Sequence, residues 1–364
     1  MRTAVAAVVE NRLNVLLIAA PASWILNAAL PDSPWVFLAA ALSLVPLAAI
    51  IGLGTEQLAV RSGPAIGGLL NATFGNAAEL IIAVIALGRG HFDLVKASIT
   101  GSIIGNLLLV LGVSFFVGGL RRQSQKFNRT AATNAAALLF LAAVALVVPA
   151  VFDLALYGSL AARPPAIYRL SVCSAIVLIV AYAGSLIYAF QSHRDLFRST
   201  PDPTEHPPLT TGAAMVLLVG GTVLTTIQAE MLVASLQPAL AGFGLTELFV
   251  GVIVVAIIGN AAEHYSAVVA AHRDQMTLAV EIAVGSSAQI ALLVAPVIIL
   301  YSFAIGHPMT LLFHPFEIAA ISLSVLATAI VVVDGESNWV EGLQLLSVYA
   351  ILALAFYFIP ARAG

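Results

Sequence analysis

Apolar residues along this chain gather in runs of about 20, each closed by a short polar turn, which is the length an α-helix needs to cross a bilayer. Eleven such runs are predicted as spans, over 13–30, 35–54, 64–88, 94–117, 131–151, 169–191, 212–237, 247–270, 277–303, 311–333 and 339–360. The alternation in segments of about ten residues that marks a membrane β-barrel is not visible. The longest polar interval, HRDLFRSTPDPTEHPPLTT from His193 to Thr211, is rich in Pro, Thr and charge and reads as a linker between two halves.

Composition agrees with the pattern. Of 364 residues, 61% are hydrophobic and 9% charged, against about a quarter charged in soluble proteins. The chain is therefore expected to be an all-α polytopic membrane protein with the lipid bilayer as its solvent. A formal net charge of -3 implies no nucleic-acid partner. The single cysteine, Cys173, excludes an internal disulfide and is expected to be a core thiol. Arg2 ahead of an apolar stretch imitates a signal peptide, but so many further spans favour a retained first helix.

Lysines and arginines sort by side. The side of the N-terminus carries ten (Arg2, Arg12, Arg61, Arg121, Arg122, Lys126, Arg129, Arg194, Arg198, Arg273), and the other carries five (Arg89, Lys96, Arg163, Arg169, Arg362). The positive-inside rule then predicts a cytoplasmic N-terminus in a cell inner (plasma) membrane and, with an odd number of spans, a C-terminus outside.

The chain repeats itself. GNAAEL at Gly75–Leu80 returns as GNAAEH at Gly259–His264, and the 184-residue offset from Glu79 to Glu263 also carries Gly67 to Gly251 and Gly101-Ser102 to Gly285-Ser286. The third span and the eighth start from opposite sides, so the copies are inverted, a plan that recurs in secondary transporters with the site near the midplane. The expected organisation is an extra N-terminal helix (1–33), a first five-helix repeat (34–191), a linker (192–211) and a second five-helix repeat (212–364).

Glu79 and Glu263 lie deep in their spans, where a carboxylate costs a few kcal/mol and usually marks a pathway or relay. Steps of three and four from Glu79 meet Ala72, Gly75, Asn76, Ala83 and Ala86; from Glu263 they meet Ala256, Gly259, Asn260, Ala267 and Ala270. Such stripes let helices approach closely. Asn-Ala-Ala-Glu also spells a capping box, and a Gly-Asn break at mid-span frees carbonyls that can coordinate a cation. Carboxylates, amide oxygens and carbonyls form a hard-oxygen set suited to Ca²⁺. His264 points off the face of Glu263 and is expected to be a satisfied packing or proton-passing residue. Two bare carboxylates about 5 Å apart repel by roughly 3 kcal/mol at an effective dielectric of about 20. Protons or one divalent cation can relieve that repulsion, and competition between them is the simplest route to cation/proton exchange.

These residues resemble the calcium/proton exchanger family. GNAAELIIAVIAL and GNAAEHYSAVVAA, followed by GSIIGNLLLVLG (Gly101–Gly112) and GSSAQIALLV (Gly285–Val294), match it in order and spacing over essentially the whole chain. The resemblance implies eleven helices, one preceding two inverted five-helix halves, and Ca²⁺ export driven by protons moving inward. It maps the family's paired acids onto Glu79 and Glu263 and its repeat asparagines onto Asn76 and Asn260. It maps the polar residues of the following helices onto Ser102, Asn106, Ser286 and Gln289, each a neutral oxygen donor in an apolar span. Ala78 and Ala262 precede the acids where sodium-coupled relatives carry Pro, which favours protons as counter-ion. The linker, with Asp195, Asp202 and Glu205 against Arg194 and Arg198, lacks the strongly acidic segment of some relatives.

Three further acids need an account. Glu281 lies near the cytoplasmic mouth, while Glu230 and Glu317 are expected to be interfacial acids, paired or solvated. Lys96 is expected to reach the interface, and Trp24, Trp35 and Trp339 to form an aromatic belt. Alternative functions are exchange of Na⁺ or K⁺ for protons and passive cation conduction. An intramembrane hydrolase would need an HExxH helix or a nucleophile–base pair, and neither is present. The chain is not expected to be an enzyme or to hold a cofactor. Ca²⁺ and H⁺ enter as transported ions, and the subunit count is left open, a homo-oligomer included.

Overall fold

The computed structural model describes residues 12–158, 165–188 and 209–360. Most of the expected linker falls outside them, as do Arg2, Arg163, Arg194, Arg198 and Arg362.

The first helix, α1, is Leu13–Ala29. A helical stretch, α2, then runs over Pro34–Phe74, started by Pro34 at its first position with the Ser33 hydroxyl accepting from Trp35 N. It is not one straight rod. A methyl on Gly67 would lie 2.6 Å from the Ala59 carbonyl oxygen, eight residues back, so the chain has doubled back between them. The sequence predicts a turn over 55–63; the structure keeps helix up to Ser62, where the apolar span that begins at Pro34 ends. After a break at Gly75-Asn76 follow α3 (Ala77–Gly88) and α4 (Phe92–Gly119). Next come α5 (Arg129–Tyr157) and α6 (Pro165–Ile187).

The second half opens with α7 (Thr211–Ala234) and a short α8 (Leu236–Phe243). A 109° bend leads into α9 (Glu247–Gly259). Beyond a break at Asn260 lie α10 (Ala261–His272), α11 (Met276–Ala304), α12 (Pro315–Val331) and α13 (Trp339–Phe358). Among the described residues, seven helices are long and apolar enough to span alone. The remaining predicted spans fall on shorter apolar helices (α1, α3, α12) or on the bent and broken segment from α8 to α10.

Loop contacts divide the molecule into two faces. On one, Arg89 pairs with Glu230, His91 Nδ1 lies 3.2 Å from Glu247, Lys96 Nζ donates to Leu312 O at 2.6 Å, and Trp35 meets Phe243 edge-on. On the other, Gln125-Lys126 (β1) pairs antiparallel with Glu336-Ser337 (β2), Arg122 pairs with Asp274, and Arg61 donates to Leu209 O. Arg61, Arg121, Arg122, Lys126, Arg129 and Arg273 lie on the loops and helix ends of this second, basic face; Arg89, Lys96 and Arg169 lie on those of the first. The helix with Glu79 runs toward the Arg89–His91 loop, whereas the segment with Glu263 starts beside it at Glu247, so the two repeats cross in opposite directions.

Burial ranks the helices. The spans α4 and α11 are 78% and 72% buried, against 22% for α6 and 28% for α13. The following-helix motifs thus form the centre of the protein and the last helix of each half its lipid-facing wall. Cys173, on α6, is exposed rather than a core thiol, because α6 presents most of its surface outward. Trp24, Trp35 and Trp339 are exposed near helix ends, where an aromatic belt is expected. Glu230 is the exposed, paired acid the sequence suggests. Glu317 is not solvated. It is 2% exposed, closing a capping box with His314 and accepting from Thr100 at 2.9 Å.

Candidate functional site

The two Gly-Asn steps interrupt their helices because both residues are weak helix formers, and Asn can spend its amide elsewhere. Each break creates a helix N-terminus inside the fold with an acid in its first turn, Glu79 on α3 and Glu263 on α10. A carboxylate is favoured there by the helix dipole. The expected capping box is absent: neither Asn76 nor Asn260 makes a side-chain cap bond. Both amides reach across to the other half instead.

Asn260 Nδ2 donates to Ser102 Oγ at 2.8 Å and to Ala256 O at 2.9 Å, while its Oδ1 accepts from Asn106 Nδ2 at 3.2 Å. The Ala256 carbonyl, expected to be free at the break, is thus taken up by the Asn itself. Asn106 Nδ2 also donates to Ser286 Oγ at 3.1 Å, and Ser286 donates onward to Glu263. Asn76 Nδ2 donates to Gln289 Oε1 at 2.8 Å. Glu79 lies against the second break, where a methyl on Gly259 would sit 3.2 Å from its Cγ. Glu263 stands in the first turn of the helix that starts just past that same break. All eight residues singled out in the sequence therefore meet in one place, drawn from both halves.

Glu79, Ser98, Ile99 and Ser102 line a cavity of about 10 Å³ there, together with Ile290 and Val294; that is the room one water needs. Glu79 Oε2 and Asn76 Oδ1 are buried without a hydrogen-bond partner. Buried oxygens are rarely left so, and two of them beside a second carboxylate leave electron pairs ready for a hard cation. His264 Nε2 is also buried and unpartnered, so the imidazole is not the satisfied packing residue expected. Among the described residues no group of three or more His, Cys, Asp or Glu is arranged to hold a metal ion.

Sequence reasoning missed the π-helical turns. α4 winds through one at Gly105–Val110 and α11 through one at Ile290–Val294, with a third at Val250–Val255 in α9. The first two recur at about the repeat offset; the first contains Asn106 and the second follows directly on Gln289. Such turns often mark functional positions. Nothing in the residue types announces them; only the repeat offset could have linked one to the other.

On the side of the site toward the first face, α4 and α9 pack tightly together. A methyl on Gly101 would overlap the Val252 carbonyl, and one on Gly251 would overlap the Ala97 side chain, so α4 and α9 touch backbone to backbone. Toward the basic face the matching residue, Gly285, has nothing within 4 Å of where its side chain would be.

The profile of the sodium/calcium exchanger protein family matches residues 32–191 and 213–358. The chain is 46% identical over 346 residues to a Ca²⁺/H⁺ antiporter of Synechocystis, covering 89% of this chain and 91% of that protein. It is 40% identical to the Ca²⁺/H⁺ antiporter ChaA of Bacillus subtilis over 95% of this chain and 99% of that one. Among solved structures, native YfkE superposes with a TM-score of 0.82 at 39% identity, covering 95% of this chain and all (100%) of its own.

Proposed function

The chain belongs to the sodium/calcium exchanger protein family, and on that premise we propose that it exchanges Ca²⁺ for H⁺ across a cell membrane, exporting Ca²⁺ through the paired-glutamate site. The observation that carries this reading is that Glu79 packs against the Gly259-Asn260 break that opens the helix of Glu263, one acid from each oppositely directed repeat, beside the unpartnered Glu79 Oε2 and Asn76 Oδ1. Two carboxylates with neutral oxygens around them suit a hard divalent cation, and the relatives named as Ca²⁺/H⁺ antiporters support that cargo.

The work of the residues follows from charge. Two carboxylates in one dry pocket cannot both stay bare, since intramembrane charge is expensive. Ca²⁺ neutralises both at once; two protons do the same. Because the occupants share the same oxygens, binding one expels the other. Ser286, held by Asn106, gives its hydroxyl hydrogen to Glu263 and fixes the direction in which that carboxylate presents its other lone pairs. Gln289 accepts from the Asn76 amide and so orients Asn76, leaving the Asn76 carbonyl oxygen free. We take the close packing of α4 and α9 at Gly101 and Gly251 to separate this pocket from the first face, so that an occupant exchanges with one side at a time, as alternating access requires.

The excess of basic residues on the second face supports a cytoplasmic location for it by the positive-inside rule. The closed passage is then the outer one and the site is poised to load Ca²⁺ from within. The test is coupled flux in proteoliposomes: an imposed pH gradient should drive Ca²⁺ uptake that collapses with a protonophore. Ca²⁺ flux without proton movement would instead indicate a channel, and the same assay with Na⁺ and K⁺ ranks the ions.

A further inference from the structure

On the first face Arg89 pairs with Glu230 and Lys96 donates to Leu312 O. Arg169 is exposed and makes no hydrogen bond or ion pair among the described residues. It stands in the second turn of α6, the least buried of the seven long spans. Beside it a groove of about 310 Å³ opens between α6 and the end of α11, lined by Tyr168, Arg169, Val172, Cys173 and Phe303. A cation at the edge of an otherwise apolar groove fits a ligand with an anionic head and a hydrocarbon body.

The walls of the groove are ordered before anything enters it. Tyr168 and Phe303 meet edge-on with ring centroids 6.0 Å apart, joining the two helices beside Arg169. Ser171 is fully buried and its hydroxyl accepts from Leu311 N at 3.0 Å, while the Ser302 hydroxyl accepts from Met309 N at 2.9 Å. These bonds tie both helices to the chain that follows α11, so an occupant pays little to order its site. Past Cys173 the same face of α6 continues with Ile176 and Val180, exposed and apolar at helical spacing. The rise from Arg169 to Val180 is about 16 Å at 1.5 Å per residue. That is roughly half of the ~30 Å hydrocarbon core, the depth of one leaflet.

We propose that this groove binds an anionic phospholipid of the first-face leaflet, its phosphate on the Arg169 guanidinium and one acyl chain running down α6 past Cys173 to Val180. A guanidinium offers paired N–H donors that match phosphate oxygens, and its long stem reaches the headgroup level from an apolar helix. A second copy of the chain would have to bring an acid to Arg169, whereas the bilayer supplies the anion and the hydrocarbon together. The site involves neither Glu79 nor Glu263, so it goes beyond the exchange function and does not depend on it. One wall is the last turn of α11, whose middle carries Ser286 and Gln289, so a seated lipid braces the helix behind the ion site.

The test places the full chain in nanodiscs of mixed phosphatidylcholine and phosphatidylglycerol, with a trace of either lipid carrying a diazirine on its acyl chain, and maps the photoadducts by peptide mass spectrometry. Phosphatidylglycerol should label residues 172–180 and Phe303 in preference to phosphatidylcholine, and Arg169→Gln should lower that preference about tenfold. Val172→Trp keeps the charge but fills the groove, and should move the label off Phe303 while the unfolding temperature stays near the wild-type value. Equal labelling by the two lipids in the unmutated protein, or a preference that survives Arg169→Gln, would overturn the proposal. So would the absence of label from both lipids together with inter-chain disulfides at Cys173, which would give the groove to a second copy. Ion flux plays no part in this readout, so a failure of coupled Ca²⁺ and H⁺ exchange would strike the function proposed above and leave the lipid site untouched.

Discussion

Asn76 in the break of the first repeat donates a 2.8 Å hydrogen bond to Gln289 in the central helix of the second. The bond ties an amide that could have capped its own helix to a partner far along the chain, and it leaves Asn76 Oδ1 free and buried beside Glu79. The site is thus built by exchange between halves, which fixes what mutations should do.

Glu79→Gln and Glu263→Gln each keep the shape of the pocket and remove one charge from it. A divalent cation then meets a single carboxylate, and each variant should lose Ca²⁺ exchange by about a hundredfold or more, at about 1.4 kcal/mol per factor of ten. Protein level in the membrane should not change. Flux in proteoliposomes, normalised to reconstituted protein, measures this; near-normal transport by either variant would remove that acid from the mechanism.

Asn260→Ala should be worse for folding than Asn76→Ala. The Asn260 amide serves Ser102, Asn106 and the Ala256 carbonyl, all buried, whereas Asn76 serves Gln289 alone. Each buried group left unpaired costs about 1–3 kcal/mol. Thermal unfolding in detergent should show a larger loss for Asn260→Ala, while Asn76→Ala should act mainly on Ca²⁺ affinity.

These two predictions draw on a site that was largely legible. An acid placed twice in apolar spans, with small residues at helical spacing, can only be explained by a cavity, and the polar residues of the next helices stand out for the same reason. What was not legible is the pairing. Asn-Ala-Ala-Glu spells a local cap, and the local reading fails because Ser102, Asn106 and Gln289 from the opposite half outcompete it. The turn between the second and third predicted spans was also misplaced, since the polar residues Thr55, Glu56 and Gln57 resemble a loop yet lie in continuous helix. Gln57 is spent there on Leu209 N, a partner no local window reveals.

Competition for the same oxygens sets the dependence on pH. If both acids surrender a proton to Ca²⁺, each unit of acidification should lower apparent Ca²⁺ affinity by up to about a hundredfold, and by about tenfold if only one does. Calcium titrations at a series of pH values give the slope directly. Two protons per Ca²⁺ also makes exchange electroneutral, so a clamped membrane potential should leave the rate unchanged.

Glu317 separates buried acids that carry ions from those that hold the fold. Its oxygens accept from His314 N at 2.8 Å and from Thr100 at 2.9 Å. Glu317→Ala strips partners from both and should destabilise the protein by about 1–3 kcal/mol, visible as a lower unfolding temperature. The proton-to-calcium ratio of the surviving protein should match the wild type; a changed ratio would place Glu317 on the transport pathway.

The two asparagines that open the acid-bearing helices have come to differ in one respect. Asn260 has both ends of its amide committed, and Asn76 keeps its oxygen in hand. On the function proposed above, the duplicated copies would divide their labour, one as scaffold and one as grip, with the cargo off the pseudo-symmetry axis, nearer the first copy. Mutations that drift into the scaffold copy will register first as lost protein, and those in the gripping copy as altered appetite for the ion.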